Sequence, residues 1–136
     1  MSCVTTNSLR FLLLDITIRM KLIVAIIRPE KLEDVQKALA ERDVYLMTVS
    51  DVRGCGRQRG FTEVYRGTEV QIRLVSKLKL EIAVNEPFVE ATIEAIVHAA
   101  RTGETGTIGD GKIFVLSLED CVRIRTGERG GEAIGP

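Results

Sequence analysis

Apolar residues follow two different periods in the first part of the chain. Residues 22–27 form an uninterrupted, largely β-branched run that stops before Pro29, which is typical of a buried strand, predicted here over residues 21–28. Behind Pro29 the apolar positions recur at helical spacing, and acidic residues occupy the first turn. These features predict a strand followed directly by a helix that ends near Arg42.

The same two periods return in the rest of the chain. Residues 44–52 predict a second strand, and strict alternation over residues 77–84 predicts a half-buried third strand. Asn85 is the expected N-cap of a second helix that stops by Gly103, and residues 112–118 predict the last strand. The polar face of the third strand carries Lys77, Lys79 and Glu81.

This order of elements, βαββαβ, predicts an α+β fold of the ferredoxin-like kind. Its antiparallel sheet would carry both helices on one face. Because the other face also has apolar residues, we expect further copies of the chain to cover it. Residues 1–19 stand apart as an extension that is disordered or precedes the true start at Met20, and residues 20–136 form the domain.

Composition narrows the class of protein. Lysine plus arginine and aspartate plus glutamate both number 19, so no net field attracts nucleic acid or anionic lipid. The cysteines, Cys3, Cys55 and Cys121, are odd in number and lack metal-ligand spacing, which disfavours a disulfide framework and a zinc site. No apolar run approaches the roughly 20 residues that span a bilayer. We therefore expect a soluble, cytoplasmic protein that meets a membrane only through a membrane-protein partner.

A glycine-rich, charged segment interrupts the pattern after the second predicted strand, so a long loop is predicted to begin there. The segment contains Gly54, Gly56, Arg57, Gln58, Arg59 and Gly60. Such glycines let backbone N–H groups converge on an anion, and the arginines add charge-assisted donors. Glycine spacing taken alone favours a flexible hinge, so both interpretations stay open.

A second interruption, residues 102–112, precedes the last strand and ends in Gly109, Asp110, Gly111 and Lys112. The Gly-x-Gly-Lys run resembles phosphate-cradling loops, but a Walker motif precedes a helix and this one enters a strand. By itself it fits a tight turn or a phosphate loop. We expect neighbouring subunits to bring both interrupted loops to one cleft.

Three further cations are candidates for ligand binding. Arg123 and Arg125 alternate, so an extended segment would point both guanidinium groups the same way, unless they form only a solvated basic edge. Lys77 stands at the foot of the long loop, where it could meet a carboxylate ligand, with a surface salt bridge as the simpler interpretation. His98 is the only histidine and has no nucleophile beside it in sequence, so the pattern indicates a binding protein rather than an enzyme.

The residues then match a known family over most of the chain. The chain resembles the PII nitrogen-regulatory signal-transduction proteins of the GlnB and GlnK types. The resemblance rests on residues 52–60 (VRGCGRQRG), 63–67 (EVYRG), 77–82 (KLKLEI), 99–103 (AARTG), 108–114 (IGDGKIF) and 123–128 (RIRTGE). It implies a homotrimer with nucleotide sites between subunits, a T-loop that begins near Cys55 and a B-loop over residues 102–112.

The resemblance also implies the ligands and the residues that hold them. ATP or ADP would contact Thr48, Gly54, Gly56, Arg57, Gln58, Glu81, Gly109, Asp110, Gly111, Lys112, Arg123 and Arg125. 2-Oxoglutarate would contact Gly56, Arg57, Gln58, Arg59, Gly60 and Lys77. Gln58 would complete the coordination of a Mg²⁺ ion that bridges ATP and 2-oxoglutarate. Arg66 would contact a partner, an ammonium transporter or an enzyme of nitrogen metabolism.

The chain departs from the family pattern at three places. Thr68 stands where some members carry a phosphorylated serine. Val70 stands where uridylylated members carry a tyrosine, so that modification is not available there. Residues 104–107 stand where most members have one residue, so the B-loop is expected to be longer by three residues. Two alternative readings stay open, a trimeric metal- or stress-related protein of the CutA-like kind and an enzyme that acts on nucleotides.

Overall fold

The structure, a computed structural model, describes residues 19–55 and 73–135. The predictions for the extension over residues 1–18 lie outside this part of the chain. The same holds for the loop residues Gly56, Arg57, Gln58, Arg59, Gly60, Arg66, Thr68 and Val70.

The elements follow the predicted order, which confirms the ferredoxin-like α+β fold. They are β1 (Met20–Ile27), a 3₁₀ turn (Pro29–Lys31), α1 (Leu32–Ala40), β2 (Thr48–Gly54), β3 (Val75–Asn85), a second 3₁₀ turn (Glu86–Phe88), α2 (Val89–Ala100), β4 (Gly111–Leu118) and α3 (Gly131–Ile134). A proline opens each long helical segment through a 3₁₀ turn, where its missing N–H costs no hydrogen bond. The short helix α3 was not predicted.

Two local predictions were wrong. The second strand begins at Thr48 rather than Val44, because the N–H of Val44 donates to Leu39 O at 3.0 Å and keeps Val44 in the turn that ends α1. Asn85 makes no side-chain cap to the following helical turn. Its Nδ2 instead donates to Gly131 O at 3.2 Å and to Gly135 O at 2.9 Å, which ties α3 to the end of β3.

The sheet has four strands in the order β2-β3-β1-β4, and every neighbouring pair is antiparallel. Alternate residues of β1 and β3 are buried against the two long helices, so the core lies on one face of the sheet. The most deeply buried side chains include Ile23, Ile27, Val35, Leu39, Leu80, Ile82 and Ile96.

The opposite face of the sheet, which we call the open face, remains uncovered in the single chain. Phe114 and Leu116 point from β4 to this face and stay 49% and 47% exposed. Lys77, Lys79 and Glu81 share this face on β3, as the alternation predicted. Within the described residues, no helix is both long and apolar enough to cross a membrane.

Candidate functional site

The B-loop meets the sheet where β4 begins beside the end of β1. Gly111 pairs with Ile27 in the register of these two strands and has a φ of +116°. A Cβ at Gly111 would lie only 1.7 Å from Ile26 O. Only glycine fits there, since any side chain would push β4 away from β1.

Asp110 organises the B-loop from within. Its carboxylate accepts hydrogen bonds from Thr102 N at 2.9 Å, Thr102 Oγ1 at 2.6 Å, Thr107 N at 2.9 Å and Arg28 Nε at 3.0 Å. Burial by itself raises the pKa of this carboxyl, but the hydrogen bonds from Thr102, Thr107 and Arg28 outweigh it and hold the pKa well below its usual range. Asp110 therefore stays ionised and shapes the loop, while its predicted contact with a nucleotide remains a prediction.

Arg28 is a positioning residue that the sequence reasoning missed. It follows β1 directly and donates from Nε to Asp110 and from Nη2 to Ile108 O at 3.0 Å. The sequence could have indicated this role. If β1 pairs with β4, a cation that directly follows β1 must lie beside the loop that enters β4. That pairing was not part of the sequence-based prediction.

Lys77 approaches the same loop from the neighbouring strand. Its Nζ donates to Gly109 O, so this cation holds the loop between the two glycines of the Gly-x-Gly-Lys run. Burial lowers the pKa of Lys77, the nearby Arg28 charge lowers it further, and Glu30 and Asp110 partly oppose this. The structure therefore brings Lys77 together with Gly109, Asp110 and Lys112 within one chain, whereas the sequence had suggested that the two loops meet across neighbouring subunits.

The open face holds a cavity of about 490 Å³ beside this loop. It is lined by Ile26, Val52, Arg53, Gly54, Cys55, Val75, Lys77, Ile108, Gly109, Gly111, Lys112 and Phe114. Both ends of the long loop, Cys55 and Val75, thus border the same space as the Gly-x-Gly-Lys run. Within residues 19–55 and 73–135 the side chain of Lys112 has no hydrogen bond or ion pair, so its ammonium group is available to an anion.

Residues 105–107 of the B-loop lie toward the other side of that loop. Thr105, Gly106 and Thr107 line a separate cavity of about 600 Å³ on the helix side of the sheet. Thr107 is fixed by its N–H bond to Asp110. Gly111 and Lys112 border both cavities, whereas Gly109 borders only the cavity that contains Lys77.

Thr48 and Glu81 are direct cross-strand partners on β2 and β3. They share the open face with Lys77, but Glu81 is four positions further along β3, a separation of about 13 Å along an extended strand. Within one chain the residues predicted to contact adenine are thus well separated from those predicted to contact phosphate.

The tail around Arg123 and Arg125 does not have the predicted geometry. Residues 124–126 form a turn rather than an extended segment, because Arg123 N donates to Glu128 O at 2.9 Å and Gly127 N donates to Arg123 O at 2.7 Å. Arg123 Nη1 contacts Glu128 Oε1 at 3.0 Å and Nη2 donates to Glu132 O at 3.0 Å. The side chain of Arg125 is exposed, so the two guanidinium groups serve different places.

The chain belongs to a family of regulatory proteins, because residues 20–128 match the family described as "Nitrogen regulatory protein P-II". It is 54% identical over 115 residues to "Nitrogen regulatory protein P-II 2" of Methanothermobacter thermautotrophicus, covering 85% of this chain and 97% of the relative. It is 50% identical over 117 residues to "Nitrogen regulatory protein GlnK1" of Methanosarcina mazei, covering 86% and 99%.

Solved structures have the same fold. The structure of "B. subtilis GlnK" aligns with a TM-score of 0.70 at 36% identity, covering 85% of this chain and 98% of that one. The structure of "Arabidopsis thaliana PII bound to citrate" aligns with a TM-score of 0.66 at 42% identity, covering 85% and 92%. The sequence-based assignment to a PII protein of the GlnB or GlnK type is confirmed.

Proposed function

We propose that this protein reports nitrogen, carbon and energy status by binding ATP or ADP, and 2-oxoglutarate together with Mg²⁺-ATP. The T-loop would then change conformation and alter the binding of a partner, such as an ammonium transporter or an enzyme of nitrogen assimilation. The observation that carries the proposal is the shared cavity: Lys77, Lys112 and the glycine-rich turn border the same space as Gly54 and Cys55, where the T-loop begins.

The chemistry of this cavity suits a polyphosphate. The ammonium group of Lys112 has no partner among the described residues, and Gly109 and Gly111 permit close approach of an anion to the backbone. Asp110 is already neutralised by Arg28 and by loop donors, so it repels an incoming anion less than a free carboxylate would. Lys77 would leave Gly109 O to pair with a carboxylate of 2-oxoglutarate.

The residues present fit a Mg²⁺ ion only if the bound small molecules, rather than protein side chains, supply most of its coordination. The described lining of the cavity carries Arg53, Lys77 and Lys112 but no carboxylate. Oxygen atoms of ATP and 2-oxoglutarate would then supply most of the coordination that this hard ion prefers, with the amide of Gln58 completing it.

A homotrimer would complete the nucleotide site. Thr48 and Glu81 lie on β2 and β3, with β1 between them and Lys112 on β4, and Phe114 and Leu116 are about half exposed on the open face. Three copies would place Thr48, Glu81, Arg123 and Arg125 of one chain beside the B-loop of another. Light scattering should then give three times the 15.0 kDa of one chain.

Calorimetry with ATP and ADP tests the nucleotide site. The two nucleotides should compete, and Lys112→Ala should weaken both by about tenfold or more, as expected for losing a hydrogen bond to a charged group. Lys21→Ala is the matched control, because Lys21 donates to Ser117 Oγ at 2.9 Å near the far end of the same strand pair. Unchanged affinity in Lys112→Ala would contradict the assignment.

Two further measurements test the regulatory role. ATP turnover assayed with and without 2-oxoglutarate should stay incidental, since steady turnover would favour the enzyme alternative.

Binding of a membrane-embedded ammonium transporter should depend on Arg66 and on which nucleotide is bound. A cytoplasmic protein of this kind would then reach a membrane only through its partner.

A further inference from the structure

The cavity on the helix side of the B-loop has a different character from the one that contains Lys77. Its volume of about 600 Å³ lies within the range of small-molecule sites, and it opens to solvent beside α2. Its floor is apolar and consists of Ile27, Ile93, Ile96, Val97, Ala100 and Ile113. Val97 is 39% exposed there, so an apolar ligand would remove surface from water that the single chain leaves wet.

The polar groups of this cavity stand on one side, along the loop. Arg101 follows α2 directly and lines the cavity with Thr105, Thr107 and Lys112. Lys112 also borders the cavity that contains Lys77. The aliphatic stem of Arg101 lies against Gly106, where an added Cβ would be 3.3 Å from Arg101 Cγ. Its guanidinium group has no hydrogen bond or ion pair within the described ranges, whereas the carboxylate of Asp110 is engaged by Arg28, Thr102 and Thr107.

The geometry points to a second ligand site, which takes a small carboxylate with an aliphatic or aromatic body. The apolar body would cover the isoleucine floor and Val97, and the carboxylate would pair with Arg101, whose fork of N–H donors matches two oxygens. A cationic amphiphile of the same length is disfavoured by Arg101 and Lys112. A bare phosphate would leave the apolar floor uncovered, so the site differs in ligand class from the nucleotide cavity.

Octanoate is a suitable probe, with octylamine as its cationic counterpart. Titration of the full-length, nucleotide-free protein, followed by calorimetry and by amide NMR shifts, should show saturable octanoate binding with shifts confined to α2, the B-loop and the start of β4. Octylamine should bind at least tenfold more weakly, because the charge-assisted contact with Arg101 is replaced by repulsion.

Variants at neighbouring positions distinguish binding at this site from nonspecific hydrophobic binding of octanoate. Arg101→Gln keeps the stem against Gly106 and should weaken octanoate roughly tenfold, with partial recovery in Arg101→Lys. Val97→Asp places a carboxylate on the cavity floor and should abolish binding. His98→Asp adds the same side chain at the next, exposed position of α2, outside the cavity, and should leave binding intact.

ATP affinity, measured on the same samples, keeps this test apart from that of the nucleotide site. Arg101→Gln and Val97→Asp should retain ATP binding whether or not octanoate binds. No saturable octanoate binding to the wild-type protein, equal loss in Val97→Asp and His98→Asp, or loss of octanoate in Lys112→Ala but not in Arg101→Gln would each overturn the second site.

Discussion

Arg28 reaches from the end of β1 to Asp110 in the B-loop, with 3.0 Å between Nε and Oδ1. The pair joins two segments that are 82 residues apart in sequence and lies beside the pairing of β1 with β4, the strand that the Gly-x-Gly-Lys turn enters. Both side chains are mostly shielded, at 26% and 18% exposure, so the interaction is less screened than a surface ion pair. The phosphate-type turn is thus held in shape before any ligand arrives.

Arg28→Gln should weaken ATP binding by about tenfold and also lower the melting temperature by a few degrees. The glutamine loses the donors to Asp110 and Ile108, so the turn must be ordered when the nucleotide binds, and that cost reduces affinity. Calorimetry and a thermal melt measure the two effects. Arg19→Gln, an exposed arginine just before β1, is the control. A large fall in melting temperature with unchanged affinity per folded molecule would mean that Arg28 is only structural.

The lowered pKa of Asp110 predicts how the free energy of unfolding depends on pH. Its pKa is lower in the folded protein than the value of about 3.9 typical of an unfolded aspartate. Its contribution to the free energy of unfolding is therefore complete above the unfolded pKa and is lost as pH falls through the folded pKa. Denaturant melts of the wild type between pH 6 and pH 3 should show this loss, and Asp110→Asn should flatten the decline.

The control for that series is Asp51→Asn on β2. Asp51 is exposed and its carboxylate has no hydrogen bond within the described part of the chain, so this variant should follow the wild-type curve. A decline in Asp110→Asn as steep as in the wild type would show that other carboxylates dominate.

Gly111→Ala should cost at least about 3 kcal/mol of unfolding free energy, because the new methyl group would collide with Ile26 O and the backbone φ is positive. Gly103→Ala in the same loop isolates the backbone effect, since Gly103 also has a positive φ but nothing lies within 4 Å of its added Cβ. It should cost only about 1–2 kcal/mol. Equal losses in denaturant melts of the two variants would contradict a specific clash at Gly111.

The order of the elements and the positions of the two interrupted loops could be predicted because each depends on residues that are close together in sequence. A few adjacent residues are enough to predict a helix start at Pro29, a strand from the alternation over β3 and a turn at the Gly-x-Gly-Lys run. Lys77 could be placed at the end of the long loop from its position in the sequence alone. Contacts between distant segments carry no such local mark. Arg28 acquires its role only when β1 pairs with β4.

In the C-terminal tail a local sequence pattern predicted the wrong backbone conformation. Alternate arginines predicted an extended segment, but Glu128 supplies both a backbone and a side-chain acceptor for Arg123 and closes a turn instead. Asn85 likewise had the composition of an N-cap, yet two carbonyl groups of α3 and its C-cap took its amide. Glu128 lies only five residues from Arg123, whereas Gly131 and Gly135 lie 46 and 50 residues from Asn85. In both places a specific partner outweighed the local preference.

Asn85→Asp distinguishes these two roles of Asn85. Aspartate is at least as good an N-cap as asparagine, so a capping role predicts little change. It cannot donate to Gly131 O and Gly135 O, so the observed bonding predicts a loss of about 1–3 kcal/mol and an unprotected α3. Denaturant melts and hydrogen exchange at residues 131–135 measure both, and Asn85→Ala should lose no more than Asn85→Asp. Full protection of α3 in Asn85→Asp would contradict the tie.

Lys77→Gln should preserve or raise the melting temperature while removing most 2-oxoglutarate binding. Burial and Arg28 disfavour the charge on Lys77, as its lowered pKa indicates, so removing that charge offsets the loss of the bond to Gly109 O. Glutamine keeps an N–H donor that can reach toward Gly109 O. Lys79→Gln, two residues along the same face and 3.8 Å from Glu81 in an ion pair, is the matched control and should keep 2-oxoglutarate affinity. A large loss of stability in Lys77→Gln would mean that Lys77 serves the loop rather than a ligand.

The proposed signal makes a quantitative demand on the wild-type protein. If Mg²⁺-ATP supplies the positive centre that 2-oxoglutarate chelates, each ligand must tighten the other by the same factor, because the two binding free energies share one coupling term. ADP lacks the γ-phosphate that helps to hold the ion, so it should give almost no coupling. Calorimetric titrations of each ligand in the absence and presence of the other measure both factors. Since Lys77 would contact the carboxylate alone, Lys77→Gln should reduce the coupling while sparing ADP affinity. Equal binding of 2-oxoglutarate with ADP, or without nucleotide and Mg²⁺, would contradict this mechanism even though the family assignment stands.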